Sequence, residues 1–182
     1  MLHPIRSSRT AGLVALATLA LVPATAEAGT GGTSPEGTPA SAPTVPGTKA
    51  KLVNGAAVAP ANAPIEVKRV IAAANKIDDK PYKYGGGHGN WNDTGYDCSG
   101  ASSYALHGGG LLDTPLDSSG MAKYGEPGKG RWISVYGAPS HGYIVVAGLR
   151  FDTSMTPGNG PGWSKSMRST PEKYRVRHPE GL

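Results

Sequence analysis

The chain has 182 residues, one cysteine and a formal net charge of +5. So small a positive charge, spread along the chain, provides no basic patch of the kind that binds nucleic acid, and we expect no nucleic-acid partner. A single cysteine excludes an internal disulfide. Every aromatic residue lies at Tyr82 or later, which indicates that the core is built from the later part of the chain.

The first 28 residues have the pattern of a secretory signal peptide. Arg6 and Arg9 supply a basic start, residues 11–22 a short apolar stretch, and residues 26–28 (Ala-Glu-Ala) a small-x-small cleavage site. The apolar stretch is short for a bilayer span, although an uncleaved anchor is the alternative. We therefore predict cleavage after residue 28, a secreted, extracellular or cell-wall location, and no stable membrane span afterwards.

Two further regions follow. Residues 29–63 are rich in Gly, Pro, Ala, Ser and Thr and contain no aromatic residue, a composition that buries too little apolar surface to offset the entropy of ordering. We predict a flexible linker there and a catalytic domain over residues 64–182, acting as a monomer.

The domain is predicted to begin with two helices. Residues 64–77 carry an apolar stripe at three- and four-residue steps, and the Lys80-Pro81 step ends that pattern. A second helix, over residues 99–107, is stopped by the three glycines at 108–110.

Cys98 stands at the predicted start of the second helix. The unpaired N–H groups and the positive dipole end there stabilise a thiolate, and they can lower a thiol pKa well below its usual value of about 8.5. An odd cysteine in an exported protein is a reactive thiol or an intermolecular bridge, and a buried inert cysteine is the third alternative. The neighbouring residues favour a nucleophile.

Strands are predicted from the alternating apolar pattern of residues 132–136, 141–147, 149–153 and 174–177. Short antiparallel strands after two helices indicate an α+β fold. A thiol nucleophile needs a base, usually an imidazole. His107 would point away along the second helix and His178 lies near the chain end, whereas His141 opens a strand directly after a turn. We therefore predict His141 as the base.

The third residue follows from strand register. If Ala147-Gly148 is a two-residue turn, residues 144, 146, 149 and 151 form one apolar face and the other face carries His141 diagonally opposite Asp152. A carboxylate on the far imidazole nitrogen would fix the tautomer. Two alternatives stay open: Asp152 could simply pair with Arg150, and Thr153 would replace it if the turn differed by one residue.

These residues together resemble the NlpC/P60 family, papain-like cysteine peptidases that hydrolyse peptides of bacterial cell walls. The resemblance spans about residues 64–153 and is carried by residues 81–86 (Pro-Tyr-Lys-Tyr-Gly-Gly), residues 97–100 (Asp-Cys-Ser-Gly) and His141. It implies a bacterial source and an α+β papain-like fold in which N-terminal helices pack on a small antiparallel sheet. Gly142 stands where the family commonly has valine after the histidine.

The resemblance also implies roles for named residues. The catalytic set is Cys98 as nucleophile, His141 as base and Asp152 as the orienting residue. Those implied to help hold the free amino end of a wall peptide are Asp97 and Ser99, with Tyr82 nearby.

The expected function is a secreted cysteine hydrolase that cleaves amide bonds in peptidoglycan peptides, without a cofactor or metal. A catalytically silent domain that binds the cell wall or a partner is the main alternative. A metal site using His88, Asp93, Asp97 and Cys98 is the third; it lacks the compact Cys/His spacing of structural zinc.

Overall fold

Helices packed on an antiparallel sheet make up the architecture seen in a computed structural model of the chain. The structure describes residues 42–154 and 160–182, which belong to one unit spanning residues 34–182. The predicted α+β fold is confirmed. The predicted signal peptide, and the first part of the predicted linker up to residue 41, lie outside the described residues.

The rest of the predicted linker is not a flexible tether. Strands β1 (Lys51–Val53) and β2 (Ala56–Val58) form an antiparallel hairpin, and Ala50, Ala57, Ala59 and Ala63 are buried in the core. The prediction of a linker over residues 29–63 is therefore wrong for its second half, and the folded domain begins well before residue 64.

Backbone hydrogen bonds explain how so small an apolar segment is ordered. The Ala50 N–H donates to the Ala147 carbonyl at 2.9 Å, and the Asn75 amide both donates to and accepts from the backbone of Ala57. Asn75 Oδ1 also accepts from the indole N–H of Trp163 at 2.8 Å. These hydrogen bonds to other elements thus stabilise the segment more than burial of its small alanine side chains alone would.

The two predicted helices are present. Helix α1 (Ile65–Asn75) buries its predicted apolar stripe, and helix α2 (Cys98–Gly108) begins one residue earlier than predicted. The helices cross closely because Gly108 faces Ala73, where any Cβ on residue 108 would clash. Small residues along α2 thus serve close packing.

A short third helix, α3 (Ser118–Met121), supplies one fully buried side chain. Met121 packs against Gly142, where an added Cβ would touch the methionine sulfur. The glycine after His141 is therefore matched to a methionine beneath it.

The sheet has six strands: β3 (Glu126–Pro127), β4 (Ile133–Ala138), β5 (His141–Val146), β6 (Leu149–Asp152), β7 (Gly162–Ser164) and β8 (Arg175–His178). Their order is β3-β8-β4-β5-β6-β7, and all neighbours are antiparallel. The predicted strands near 132–136, 141–147, 149–153 and 174–177 are confirmed with small shifts of their ends. The short strands β3 and β7 were not predicted.

The predicted register of the β5–β6 hairpin is confirmed. Val146 pairs with Leu149 and Ile144 with Phe151, and these four side chains are buried. Ala147 and Gly148 both have positive φ, as a two-residue type I′ turn requires. The opposite face of the same hairpin therefore carries His141 and Asp152 together. Among the described residues, no helix is long and apolar enough to cross a bilayer.

Candidate active site

Cys98 is the first residue of α2, and the residues around it fix that helix start. The Asp97 carboxylate caps the helix by accepting the Gly100 N–H at 2.7 Å. Gly100 itself lies against the carbonyl of Gly86, where a Cβ would clash. The glycine-rich loop before the cysteine thus packs directly on the first turn of the helix.

The thiol of Cys98 is held in a polar environment although it is half-buried. Burial alone would raise its pKa, but hydrogen bonds with the His141 side chain and the Gly142 N–H, together with the charge of His141, lower the pKa below its ordinary value of 9.0. This arrangement favours the thiolate, the nucleophilic form.

His141 joins the thiol to a buried carboxylate. Its Nε2 lies 2.8 Å from Oδ1 of Asp152, whose side chain is 0% exposed, so Nδ1 is the nitrogen left for the thiol. Burial would lower the pKa of His141, yet its bonds to Asp152 and Cys98 raise it to about 9. Burial would raise the pKa of Asp152, yet His141 and Arg168 hold it at about 2. The pair is therefore charged over a wide pH range.

Two arginines also contact Asp152. Arg168 Nε lies 2.9 Å from Oδ2 of the carboxylate and Arg168 Nη2 lies 3.2 Å from Oδ1. Arg150 Nε is 3.5 Å from Oδ2. The alternative that Asp152 pairs with Arg150 and the hypothesis that it orients His141 are therefore compatible, because the carboxylate has enough lone pairs for both.

Arg168 could not have been found from the sequence. It lies 16 residues beyond Asp152 and 27 beyond His141, after the short strand β7. No local motif marks it. Only the return of the chain along the sheet brings it to the site.

Aromatic rings surround His141. Tyr174 packs edge-on at 6.3 Å between ring centroids, and Tyr143 stacks on Tyr136 at 4.4 Å beside it. Arg168 lies over the Tyr143 ring, 5.6 Å from the centroid. These rings limit the rotation of His141 and keep one side of the site apolar.

The three residues implied to hold substrate lie on the other side of Cys98. Tyr82 is 42% exposed, and burial followed by the nearby charges of Cys98 and Asp97 raises the pKa of its phenol. Asp97 and Ser99 are buried, at 8% and 4% exposed. Of the three side chains, only that of Tyr82 is therefore substantially accessible to solvent.

Asp97 is surrounded by donors from the protein itself. It accepts the Gly85 N–H at 3.1 Å and the Ser99 hydroxyl at 3.1 Å, in addition to the Gly100 cap. His88 Nε2 lies 3.0 and 3.1 Å from its two oxygens. His88 thus lies within hydrogen-bonding distance of both oxygens of this carboxylate.

The remaining described histidines are bound to backbone or ring partners, and the residues of the alternative metal site have partners of their own. His107 bonds the Leu112 carbonyl and stacks on Trp91, and His178 contacts the Gly128 carbonyl. Asp93 pairs with Lys83 rather than with His88. Over residues 42–154 and 160–182, no group of three or more His, Cys, Asp or Glu side chains is arranged to hold a metal ion.

Comparison with known proteins gives matches among solved structures. No family model and no curated protein matches the chain. One similar structure is an NlpC/P60 family protein from Bacillus cereus, with 16% sequence identity and a TM-score of 0.47. Another is a hypothetical invasion protein of Mycobacterium tuberculosis, at 23% and 0.47. A third is a mutated form of the resuscitation promoting factor interacting protein RipA, at 22% and 0.48.

These matches cover different shares of each chain. They span 62%, 62% and 71% of this chain, and 39%, 61% and 71% of the three structures in the same order. The first is a member of the family that residues 81–86 and 97–100 resemble.

Proposed function

We propose that the chain is a secreted cysteine hydrolase that cleaves amide bonds in peptides of the bacterial cell wall. The observation that carries the proposal is the arrangement of Cys98, His141 and Asp152, in which a thiol at a helix start is linked through one imidazole to a buried carboxylate. Binding alone would not require a thiol activated in this way.

The steps follow from these contacts. The Cys98 thiolate attacks the carbonyl carbon, and the developing oxyanion is stabilised by the Cys98 N–H at the start of α2. The C–N bond breaks as His141 gives its Nδ1 proton to the leaving amine. His141 then takes a proton from water as that water attacks the thioester carbon, the C–S bond breaks to release the acyl group as a carboxylic acid, and the Cys98 thiolate and His141 imidazolium are restored. Asp152 holds the imidazole orientation throughout.

The substrate class rests on the resemblance to cell-wall peptidases. Of the three residues that the resemblance implies, Tyr82 is the exposed one and would contact the peptide, whereas Asp97 and Ser99 are buried at the start of α2. Since Asp97 already has donors from the protein, its first role is to hold the loop and the helix start together. Contact with a substrate amine would be its second role.

The test is a digest of purified peptidoglycan by the full chain, with new amino ends detected by mass spectrometry. We expect new ends from the wild type and none from Cys98→Ala or His141→Ala. His178→Ala, which removes an imidazole that bonds only the Gly128 carbonyl among the described residues, should cleave like the wild type. Circular dichroism confirms that each variant is folded.

Two results would contradict the proposal. Equal release by Cys98→Ala would assign the cleavage to another group. No release at any pH from about 5 to 9, with a folded protein whose thiol alkylates at an ordinary rate, would favour the catalytically silent wall-binding domain.

A further inference from the structure

We propose that Arg168 is a positioning residue that competes with His141 for Asp152 and thereby limits the range of pH over which His141 keeps its positive charge. The inference rests on the proposed function for its catalytic meaning, although its test needs no turnover.

The geometry of Arg168 is a fork on the same carboxylate that orients His141. Its Nε and Nη2 contact the two oxygens of Asp152, and Nη2 also lies 3.0 Å from the Ser154 hydroxyl. The same Nη2 is 2.7 Å from Nε2 of His141. One guanidinium nitrogen therefore touches both members of the His141–Asp152 pair.

The single ring nitrogen Nε2 cannot serve both neighbours at once. An arginine donates only, so Arg168 bonds Nε2 when that nitrogen carries no proton. An ionised carboxylate is an acceptor and never a donor, so Asp152 bonds Nε2 when that nitrogen is protonated. The imidazolium needed for the thiolate pair thus gains a bond to Asp152 and meets a cation at 2.7 Å. The neutral ring with its proton on Nδ1 has the opposite preference, because its bare Nε2 accepts from Arg168 and has no proton for Asp152.

Other charged and titratable groups also lie near His141. Cys98 on α2 and Asp152 on β6 are negative when ionised and favour the imidazolium. Tyr143 on β5 and Tyr174 before β8 are phenols whose pKa is raised, so they stay neutral where His141 titrates. Arg150 contacts Asp152 at Oδ2, the oxygen that does not contact His141, at 3.5 Å.

Arg168 therefore opposes the imidazolium by two effects with the same sign. Its hydrogen bonds to Asp152 weaken the attraction between that carboxylate and the imidazolium of His141. Its own positive charge also lies beside the imidazole ring. Asp152 alone would hold the imidazolium to higher pH. With Arg168 present, His141 releases its proton at a lower pH than it would without Arg168.

The test is an NMR titration of the full chain with ¹⁵N-labelled histidine, following both ring nitrogens of His141. We expect the pKa of His141 to rise by about one unit in Arg168→Gln, the size of shift that a close charge typically causes. Arg168→Lys keeps the charge and should stay nearer to the wild type. Arg175→Gln, which removes an exposed strand arginine, is the matched control and should leave the pKa unchanged.

Folding and function are separated within the same series. If Arg168→Gln is poorly folded, Arg168→Met keeps the aliphatic stem over the Tyr143 ring and provides a second neutral variant. A pKa that stays the same or falls in the folded neutral variants would overturn the proposal, because Arg168 would then only hold Asp152 in place. A rise in the pKa of His141 in these variants, together with no hydrolysis by the wild type, would support the role of Arg168 and reject the proposed function.

Discussion

Asp152 is the residue on which the candidate site depends most, because three positive side chains share one buried carboxylate. His141, Arg150 and Arg168 all lie within 3.5 Å of it. Removing the carboxylate would leave three positive side chains, those of His141, Arg150 and Arg168, close together without the negative charge that they share. Activity and stability are therefore linked at this position.

For Asp152→Ala we expect a reduced but measurable rate of hydrolysis, lower by roughly 10⁴-fold, as for other orienting carboxylates. We also expect the free energy of unfolding to fall by about 3 kcal/mol, because a buried ion pair is broken from one side. Kinetics and urea unfolding measure the two effects. Asp113→Ala, at an exposed position, is the control, and full activity of Asp152→Ala would remove Asp152 from the triad.

The pH dependence of stability follows from the same pair. The pKa of Asp152 is lowered to about 2, so its contribution is present above its unfolded value of 3.8 and is lost as pH falls towards 2. The pKa of His141 is raised from 6.5 to about 9, so its contribution is present below pH 6.5 and is lost as pH rises towards 9. These two groups together predict greatest stability between about pH 4 and 6.5.

Urea unfolding of the wild type and Asp152→Asn across this range tests that expectation. The asparagine variant should lose most of the acid slope and much of the slope above pH 6.5, since it cannot supply a charge to His141. Equal pH profiles for the two proteins would show that other groups control the stability.

At the scale of single elements, the start of α2 is a point where steric fit outweighs helix propensity. Gly100→Ala would gain about 1 kcal/mol from propensity, but the new Cβ would clash with the Gly86 carbonyl. Forcing atoms into such a packed contact costs about 1–3 kcal/mol. We expect net destabilisation and slower alkylation of Cys98. Gly89→Ala, with open space around it, should change neither, and a stabilised Gly100→Ala would contradict the packing described for this loop.

The N-terminal hairpin provides a second prediction for an element. Deleting residues 1–63 removes β1, β2 and their bonds to Asn75 and Ala147, and it uncovers part of the core under α1. We expect a protein that melts at least several degrees lower or does not fold. Deleting residues 1–41 removes none of these contacts and is the control. Equal melting temperatures for the two deletions would restore the interpretation of residues 42–63 as a linker.

The success of the sequence predictions also differed between elements. The periodic apolar positions of α1 and the alternation in β5 and β6 identified those elements, and the two faces of the hairpin placed Asp152 near His141. The hairpin β1–β2 was missed because its alanines give no strong pattern and its order depends on distant groups such as Asn75. Arg168 was missed for the same reason: its partners are far away in the chain.

At the scale of the whole molecule, residues far apart in the sequence complete the site. Strand β8 lies between β3 and β4, which brings Tyr174 beside His141. The segment after β7 brings Arg168 to Asp152. The proposed nucleophile, Cys98, comes from a helix and the proposed base, His141, from the sheet, so the site forms only when the two layers are packed together.

The hydrogen bond from Ala50 to Ala147 has a mechanical consequence. It attaches the N-terminal segment to the turn between the two strands that bear His141 and Asp152. A pulling force applied to the chain ahead of residue 50 would therefore be transmitted to the turn of the β5–β6 hairpin. Tension on the segment ahead of residue 50 would load this bond together with the backbone bonds of Val45 and Gly47 to residues 59–62, so the hairpin turn is loaded only after or along with them.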